Sequence, residues 1–373
     1  MMDSADVAIV GAGIVGLAFA WEAAKRGKSV VVFERTAAAT GASVRNFGMI
    51  WPIGQPFGEL HHIAMKSRAH WLELASLTDI DVNPCGSIHA VYHAVECDVL
   101  AEFATLAEHE CEYLSPADAI RRFPTIRTEG LKGVLYSPTE LCVDPRQAVP
   151  RLAKYLADAY GVRLHFQTAV VNVGQGELRT AAGNRWQARQ IIVASGTDFE
   201  TLFPAAFADS GIRRCKLQMM RTATQPGGWK LGPHMAGGLT LGHYRSFAAC
   251  RTLDAARSLH CEQYAEYGRH GIHVMASQNA LGEVVIGDSH DYDDASNPFD
   301  HERIDRLILD YLAQMLKLPD PTIVARWHGH YAKHPTEPLY VVEPVPGCTV
   351  VAALGGAGMT MSFGFASRWW DAR

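Results

Sequence analysis

The residues that most restrict what this chain can fold into are Gly11-Ala12-Gly13-Ile14-Val15-Gly16, because of what stands on either side of them. Asp6-Val7-Ala8-Ile9-Val10 before them is a short apolar run rich in β-branched residues, and Leu17 to Arg26 after them is a string of helix formers closed by Gly27. A second strand-like run, Ser29-Val30-Val31-Val32-Phe33, ends on an acid, Glu34. Strand, tight turn, helix, strand and acid in that order make the dinucleotide-binding unit of a parallel α/β sheet. A lone G-x-G-x-x-G carries little, since glycine-rich turns are common. The flanking elements and the acid's distance give it meaning.

Each residue type has a physical task. Gly11 permits the turn, Gly13 lets the backbone approach a pyrophosphate, and Gly16 lets the helix lie close on the sheet. The pyrophosphate then meets the free N–H groups and partial positive charge of the helix start, at Ile14 and Val15. Glu34 is expected to accept hydrogen bonds from ribose hydroxyls, and its charge disfavours the 2′-phosphate of NADP. The motif alone leaves FAD and NAD open. An NAD dehydrogenase normally continues with regular βα repeats. Here the regularity stops at a small-residue loop, Thr40 to Ile50, followed by a turn segment at Pro52 and Pro56.

A chain of 373 residues is longer than one core usually serves, so two lobes are expected. The formal charge of -5 argues against a general polyanion binder, nucleic acid included, so any anion recognition is local. The eight cysteines show no C-x-x-C pair, which suggests reduced thiols rather than a zinc ribbon or redox motif. Met1 to Asp6 lacks a basic signal region. The apolar run Val7 to Trp21 is broken by Glu22 and Lys25 and is too short for a membrane span. A soluble cytoplasmic protein is expected.

Further along, Asp144-Pro145-Arg146 opens a helical pattern through Tyr160, with Gly161 as its stop. Strand-like segments follow at 162–166 and 169–173, which includes Val170, then a polar hairpin through Gly183. The apolar run Gln190 to Ala194 leads into Ser195-Gly196-Thr197. The strand-like run 348–354 enters a third glycine turn, Gly355-Gly356-Ala357-Gly358-Met359-Thr360, before a helix. Three glycine turns, each after an apolar strand, can converge at the carboxyl edge of one sheet. The fold expected is α/β: a Rossmann-like dinucleotide-binding domain (1–76, 144–215 and 322–373) with a discontinuous α+β substrate domain (77–143 and 216–321); the family resemblance given next implies that the first is an FAD-binding domain of the glutathione-reductase type.

The N-terminal GAGIVG with Glu34, Thr40-Gly41-Ala42-Ser43, Val143-Asp144-Pro145-Arg146, Ala194-Ser195-Gly196, Val285-Ile286-Gly287 and the terminal GGAGMT together resemble the D-amino-acid oxidase superfamily of flavoproteins, which includes glycine oxidase and monomeric sarcosine oxidase. The resemblance covers nearly the whole chain and implies flavin-linked amine dehydrogenation. It places Gly11, Gly13, Ile14, Val15, Gly16, Glu34, Arg35, Ser43, Arg45, Asn46, Gly48, Val170, Ala194, Ser195, Gly196, Gly355, Gly356, Gly358, Met359 and Thr360 on FAD. The loop Arg45 to Gln55 resembles more narrowly a bacterial subgroup linked to aminophosphonate breakdown, whose members oxidise 2-aminoethylphosphonate or its N-methyl derivative to phosphonoacetaldehyde. Departures from better-known relatives carry information. There is no cysteine between Cys261 and Cys348 to hold the flavin covalently, so noncovalent FAD is implied. Val285 stands in place of an oxygen-activating lysine, which leaves oxygen or another electron acceptor open. Met359 replaces a carboxylate-binding lysine, and Gly329 to His334 lacks the substrate arginine of glycine oxidase. Glycine- or sarcosine-type oxidation and a noncatalytic flavin-binding subunit are the alternatives.

Amine oxidation by a flavin needs the substrate C–H held over the ring and the amine unprotonated, with no obligatory acid–base pair. A phosphonate, with a charge of about -1.5 to -2 by analogy with phosphate esters, needs cationic donors in a partly desolvated pocket. Arg45, His330 and Lys333 are the residues assigned to that role, with His328, Tyr331 and His334 beside them. No metal site is expected. His61-His62 and His328-x-His330 lack a partner of matching spacing, and the acidic stretch 288–294 reads as a solvated turn. Trp51, Trp327, Trp369 and Trp370 read as core or lobe-contact residues. Ser195 lacks the context of a nucleophile. The oligomeric state stays open.

Overall fold

In the computed structural model, which describes residues 3–106, 108–293, 297–352 and 354–373, the strand Asp3–Val10 lies at the centre of a parallel layer. Arg185–Val193 flanks it on one side and Val30–Phe33 on the other. Cys348–Ala352 adds beyond the first and Arg163–His165 beyond the second, both parallel. Val10 pairs with both Phe33 and Val193, and Val193 with Val350, so four strands end at one level. The glycine turns after Val10, Val193 and Ala352 all leave from that edge. A hairpin, Val170–Gly174 with Glu177–Thr180, and the antiparallel strand Tyr340–Val345 complete the layer.

The helix Ile14–Lys25 is buried on nearly every side, which its sequence anticipates, since it carries apolar residues all round rather than along one stripe. It packs between the sheet and two further helices, Pro145–Tyr160 and Gly358–Asp371. Phe19 sets its edge against Phe365 and Trp369, and Trp21 meets Phe363 edge-on at 5.3 Å. The helix Pro145–Tyr160 has the ends its sequence predicts. The Asp144 carboxylate accepts from Arg146 N at 3.0 Å, and Gly161 closes it in a left-handed conformation.

A second, mostly antiparallel sheet runs in the order 291–293, 213–224, 283–287, 275–278, 234–237, 87–91, 133–137 and 112–114. The helix Glu302–Met315 covers one face of it, burying Ile304, Leu307, Ile308 and Leu312 against Ile88, Val134, Met220 and Ile286. A small sheet, Met49–Ile50 with Leu141–Val143 and Val82–Asn83, joins the layers. One strand departs from the expected division. Ile323–Lys333, assigned above to the nucleotide lobe, pairs antiparallel with Arg213–Thr224 and so belongs to the second sheet by its hydrogen bonds. Among the described residues no helix is long and apolar enough to cross a membrane.

The C-terminal helix crosses the helix Glu59–Leu77 at Gly364, where an added Cβ would lie 2.0 Å from Ile63 O and 3.0 Å from Ser67 N. Gly364→Ala therefore forces the two helices apart. The expected loss is about 1–3 kcal/mol, read as a lower denaturant midpoint under saturating FAD. An unchanged midpoint would show that the helices do not meet this closely.

Candidate active site

The three glycine turns open onto one cavity of about 550 Å³ that continues to the second sheet. Its first wall is set by close backbone approach. Gly11 takes φ +105°, and a Cβ there would stand 2.3 Å from Ala194 O; a Cβ on Gly16 would stand 2.0 Å from Gly11 O. The start of the helix Ile14–Lys25 is thereby held at the cavity's edge. Ile14 N donates to Ser43 Oγ at 2.9 Å, and Ala12 N donates to Glu34 Oε2 at 3.0 Å. Glu34 Oε1 accepts from Thr36 N and Thr36 Oγ1, so the carboxylate is fixed in place. A carboxylate has about four acceptor positions, which leaves room for a ribose hydroxyl.

Of the residues assigned to FAD from sequence, most line this cavity: Gly11, Gly13, Ile14, Val15, Glu34, Arg35, Ser43, Arg45, Asn46, Val170, Ala194, Ser195, Gly196, Gly355, Gly356, Gly358, Met359 and Thr360. Gly16 and Gly48 do not. Gly16 serves helix–turn packing, and Gly48 serves close approach to Val143, whose carbonyl would lie 1.9 Å from a Cβ there. Asn46 folds its own loop: its amide donates to Ala42 O and Ser43 O, and its carbonyl accepts from Gly48 N. Arg35 is ion-paired with Asp198. Met359 and Thr360 are engaged in packing as well, since Trp71 Nε1 donates to Met359 O and Trp51 N donates to Thr360 Oγ1, both at 2.9 Å.

The cradle fits an extended dinucleotide: a helix start, a fixed acid beside it and two more glycine turns line one continuous space. Toward the second sheet the lining becomes cationic. Arg45 Nη1 donates to His328 O at 3.2 Å, and Trp327 Nε1 donates back to Arg45 O. Lys333 Nζ stands 3.4 Å from where a Gly355 Cβ would be, and Tyr331 stands over Gly356. Burial, then the charge of Arg245, pulls the Lys333 ammonium below its ordinary range. Burial, followed by the neighbouring His328, Lys216, Arg45 and Arg214, does the same to His330. Among the described residues no carboxylate lies within ion-pair distance of Arg45, Arg245 or Lys333.

The structure also brings in residues that sequence reasoning missed: His243, Tyr244, Arg245, His273, Asp288 and His290 line the same cavity. The solvated-turn reading of 288–294 fails at its first three residues, because Asp288, Ser289 and His290 are buried. Only 291–293 form an exposed strand, and Asp294 lies outside the described residues. The available signal was position: Asp288 directly follows the inner strand Glu283–Gly287. Trp51 is buried yet also lines the cavity, whereas Trp369 and Trp370 lie in the core as expected. His61 packs against His109 and Phe57, and burial pushes it down to about 4. His328 pairs with Asp300.

Removing the Glu34 carboxylate frees Ala12 N and Thr36 as well as any ribose contact. Glu34→Ala is expected to weaken FAD retention about tenfold or more, followed by the fluorescence of released flavin during dilution. Full occupancy of that variant at limiting FAD would remove Glu34 from the site.

Comparison with known proteins agrees with this geometry. The family model described as "FAD dependent oxidoreductase" (DAO) matches residues 6–368. Glycine oxidase of Geobacillus kaustophilus is 29% identical over 205 residues, 51% of this chain and 54% of that relative, so the matched stretch spans about half of it. The crystal structure of glycine oxidase from that organism superposes with a TM-score of 0.78 at 21% identity, over 99% of this chain and 94% of the other. An L-α-glycerophosphate oxidase from Mycoplasma pneumoniae, solved with FAD bound, gives 0.75 at 15% identity, over 98% and 94%. A mixed α/β fold whose three glycine turns meet at one sheet edge, matched by the family model over almost its whole length, belongs to the DAO family of FAD dependent oxidoreductases.

Proposed function

We propose that this chain is an FAD-dependent amine oxidoreductase acting on a small aminophosphonate, 2-aminoethylphosphonate or its N-methyl derivative. The observation that carries the reading is the cationic end of the cavity, where Arg45, Arg245 and Lys333 stand without a carboxylate partner among the described residues. Cations gathered in a half-buried space favour an anion of more than one charge, because their mutual repulsion is relieved only when it is neutralised. Arginine can grip a phosphonate with two parallel N–H bonds, while lysine supplies a point charge. The fold accommodates a related substrate class in the neighbour named as a glycerophosphate oxidase. Against the glycine-type alternative stands Met359, a neutral side chain at the position where the resemblance expects a carboxylate-binding lysine.

When bound, FAD supplies the acceptor for a hydride equivalent from the carbon next to nitrogen. The turns at Gly11–Gly16, Ser195–Gly196 and Gly355–Gly356 hold it in this reading. They hold it noncovalently, in keeping with a lining in which none of the described cysteines takes part. Arg45 and Lys333 fix the phosphonate so that the C–H is presented in one orientation, with His330 on the other face of the same strand from Lys333. Water then hydrolyses the released imine to phosphonoacetaldehyde and ammonia or methylamine.

The purified protein should be yellow and bleach anaerobically when 2-aminoethylphosphonate alone is added. Bleaching by glycine or sarcosine and not by the phosphonate would replace the reading with the amino-acid one. Arg45→Ala should raise KM about tenfold to a hundredfold while the flavin stays bound, the value of one or two charged hydrogen bonds. Loss of flavin at unchanged KM would move Arg45 to the cofactor.

A further inference from the structure

Two strands of the second sheet end side by side and carry a buried polar cluster into the cavity. Met275 pairs with Gly287, and just beyond that pair His273 and Asp288 exchange backbone hydrogen bonds, Asp288 N to His273 O at 3.0 Å and His273 N to Asp288 O at 3.3 Å. His273 Nε2 comes within 3.4 Å of Asp288 Oδ1, and His290 Nε2 within 3.9 Å of Asp288 Oδ2. The helix Leu239–His243 lays His243 on top, its ring centroid 3.8 Å from that of His273 and 4.6 Å from that of His290. Asp288 is 4% exposed, His273 3% and His290 8%. Neither His273 nitrogen has a hydrogen-bond partner, and Asp288 Oδ1 has none. Unsatisfied buried groups of this kind are rare in folded proteins and call for a missing partner.

The chemistry of the cluster says what that partner is. Next to Gly271 O, at 3.0 Å, His290 Nδ1 carries the proton, so its Nε2 is an acceptor turned toward Asp288. Burial, with mutual repulsion among the rings, holds His273 well below its ordinary range, and burial takes His290 down to about 4; His243 is exposed to the cavity, and its crowding by His290 and Lys333 also opposes its protonation. Burial raises the Asp288 carboxyl well above its ordinary range. The site is therefore a set of neutral imidazoles around one carboxylate of high proton affinity. The other groups near Asp288 are Tyr244, Tyr292, Tyr331 and Cys215, all held neutral by burial, while Lys333 faces His243 and His290 and opposes their protonation.

The spacing separates two kinds of cation. Ligand atoms of His243, His273 and His290 lie within 4.8 Å of one another. Three nitrogens around a tetrahedral zinc, at about 2.0–2.1 Å each, would stand about 3.4 Å apart with ring edges turned to the ion. Here His273 and His290 are stacked face to face, 20° from parallel. Acceptors around an alkylammonium, at about 2.9 Å each, stand about 4.7 Å apart.

We propose that Asp288, His273, His290 and His243 form the subsite that receives the substrate nitrogen as an ammonium and takes its proton before hydride transfer. The proposal rests on the amine reading above and on no particular anion. R–CH2–NH3+ gives its proton to the Asp288 carboxylate, becoming R–CH2–NH2 and a carboxylic acid. With its lone pair free, the nitrogen is in the form from which FAD bound on the glycine turns would accept a hydride equivalent from the adjacent carbon, the substrate becoming the iminium ion R–CH=NH2+. Lys333 borders both the anion end and this cluster, so the two substrate groups bind next to each other, as a two-carbon aminophosphonate requires.

The test is anaerobic flavin reduction of the FAD-loaded enzyme, followed across pH by stopped flow, with the amine among 2-aminoethylphosphonate, glycine and sarcosine that bleaches it. In the wild-type enzyme the rate at low substrate should fall on the acid side, as Asp288 becomes protonated and can no longer accept. Asp288→Asn should keep its flavin spectrum and lose about a hundredfold or more in rate at pH 7. Its rate should then climb tenfold per pH unit toward the amine's own pKa, because only solvent-deprotonated amine can react. His273→Gln, which keeps the cluster's shape, should show a smaller loss and a shifted acid limb, and it carries the same readout if the Asp288 variant does not fold. Bleaching with an unaltered pH profile in both variants overturns the subsite and leaves the amine reading standing. So does about one bound transition metal per chain that His273→Gln removes. Bleaching by no amine overturns both.

Discussion

Everything in the site depends on two backbone approaches that leave no room for a side chain, Gly11 against Ala194 O and Gly16 against Gly11 O. The first brings two parallel strands to the same level. The second presses the helix Ile14–Lys25 onto the turn between them. Because that helix is buried on nearly all sides, its position is set by packing against the sheet, the C-terminal helix and the helix Pro145–Tyr160 together. Its first N–H groups are consequently placed at the cavity edge by the core, and Ser43 and Glu34 only finish what the core has positioned. A cofactor that meets such a preformed surface pays little in ordering the protein.

The cavity beyond the turns has two electrical ends, although the chain as a whole is mildly acidic. Arg45, Arg245 and Lys333 make one end; Asp288 and its histidines make the other. Water is the partner that makes such arrangements harmless on a surface, and burial removes it, so each end calls for a ligand group of the opposite sign. Strand alternation divides the cations as well. On Ile323–Lys333, Gly329, Tyr331 and Lys333 share a face that meets Arg45, Gly355, Gly356 and His290, while His330 shares the other face with His328, beside its strand partner Lys216.

The parts of this fold that were legible in the sequence are those whose signals are local. The first strand, turn and helix, both ends of the helix Pro145–Tyr160, and the glycine turns after 193 and 352 each depend on residues within a few positions of one another. What the sequence left obscure depends on distant pairing. Ile323–Lys333 has the alternation of a strand but nothing in it names Arg213–Thr224 as its partner, so the sequence alone groups it with the 322–373 segment of the nucleotide domain. Asp288 shares a segment with Asp291 and Asp293, which makes it look solvated. Only the backbone exchange with His273, fifteen residues earlier, shows it to be interior. His243 lies on a five-residue helix with no motif, and its place in the cavity follows from tertiary packing alone.

The start of the C-terminal helix bears on the substrate proposed for this cavity. Met359 offers a buried thioether, its carbonyl is taken by Trp71 Nε1, and the neighbouring Thr360 hydroxyl is taken by Trp51 N. That corner is committed to holding the cavity's wall together and has no charge to give a substrate. In the proposed reading an anion is held instead by Lys333, beside the Gly355 turn, and by Arg45 on the small-residue loop. These donors come from two different elements; the His328 carbonyl steadies Arg45, and neither has a carboxylate within ion-pair distance among the described residues. A planar carboxylate can satisfy one such donor well. A tetrahedral group with three oxygens can face both at once, which is the geometric argument behind the phosphonate proposed above.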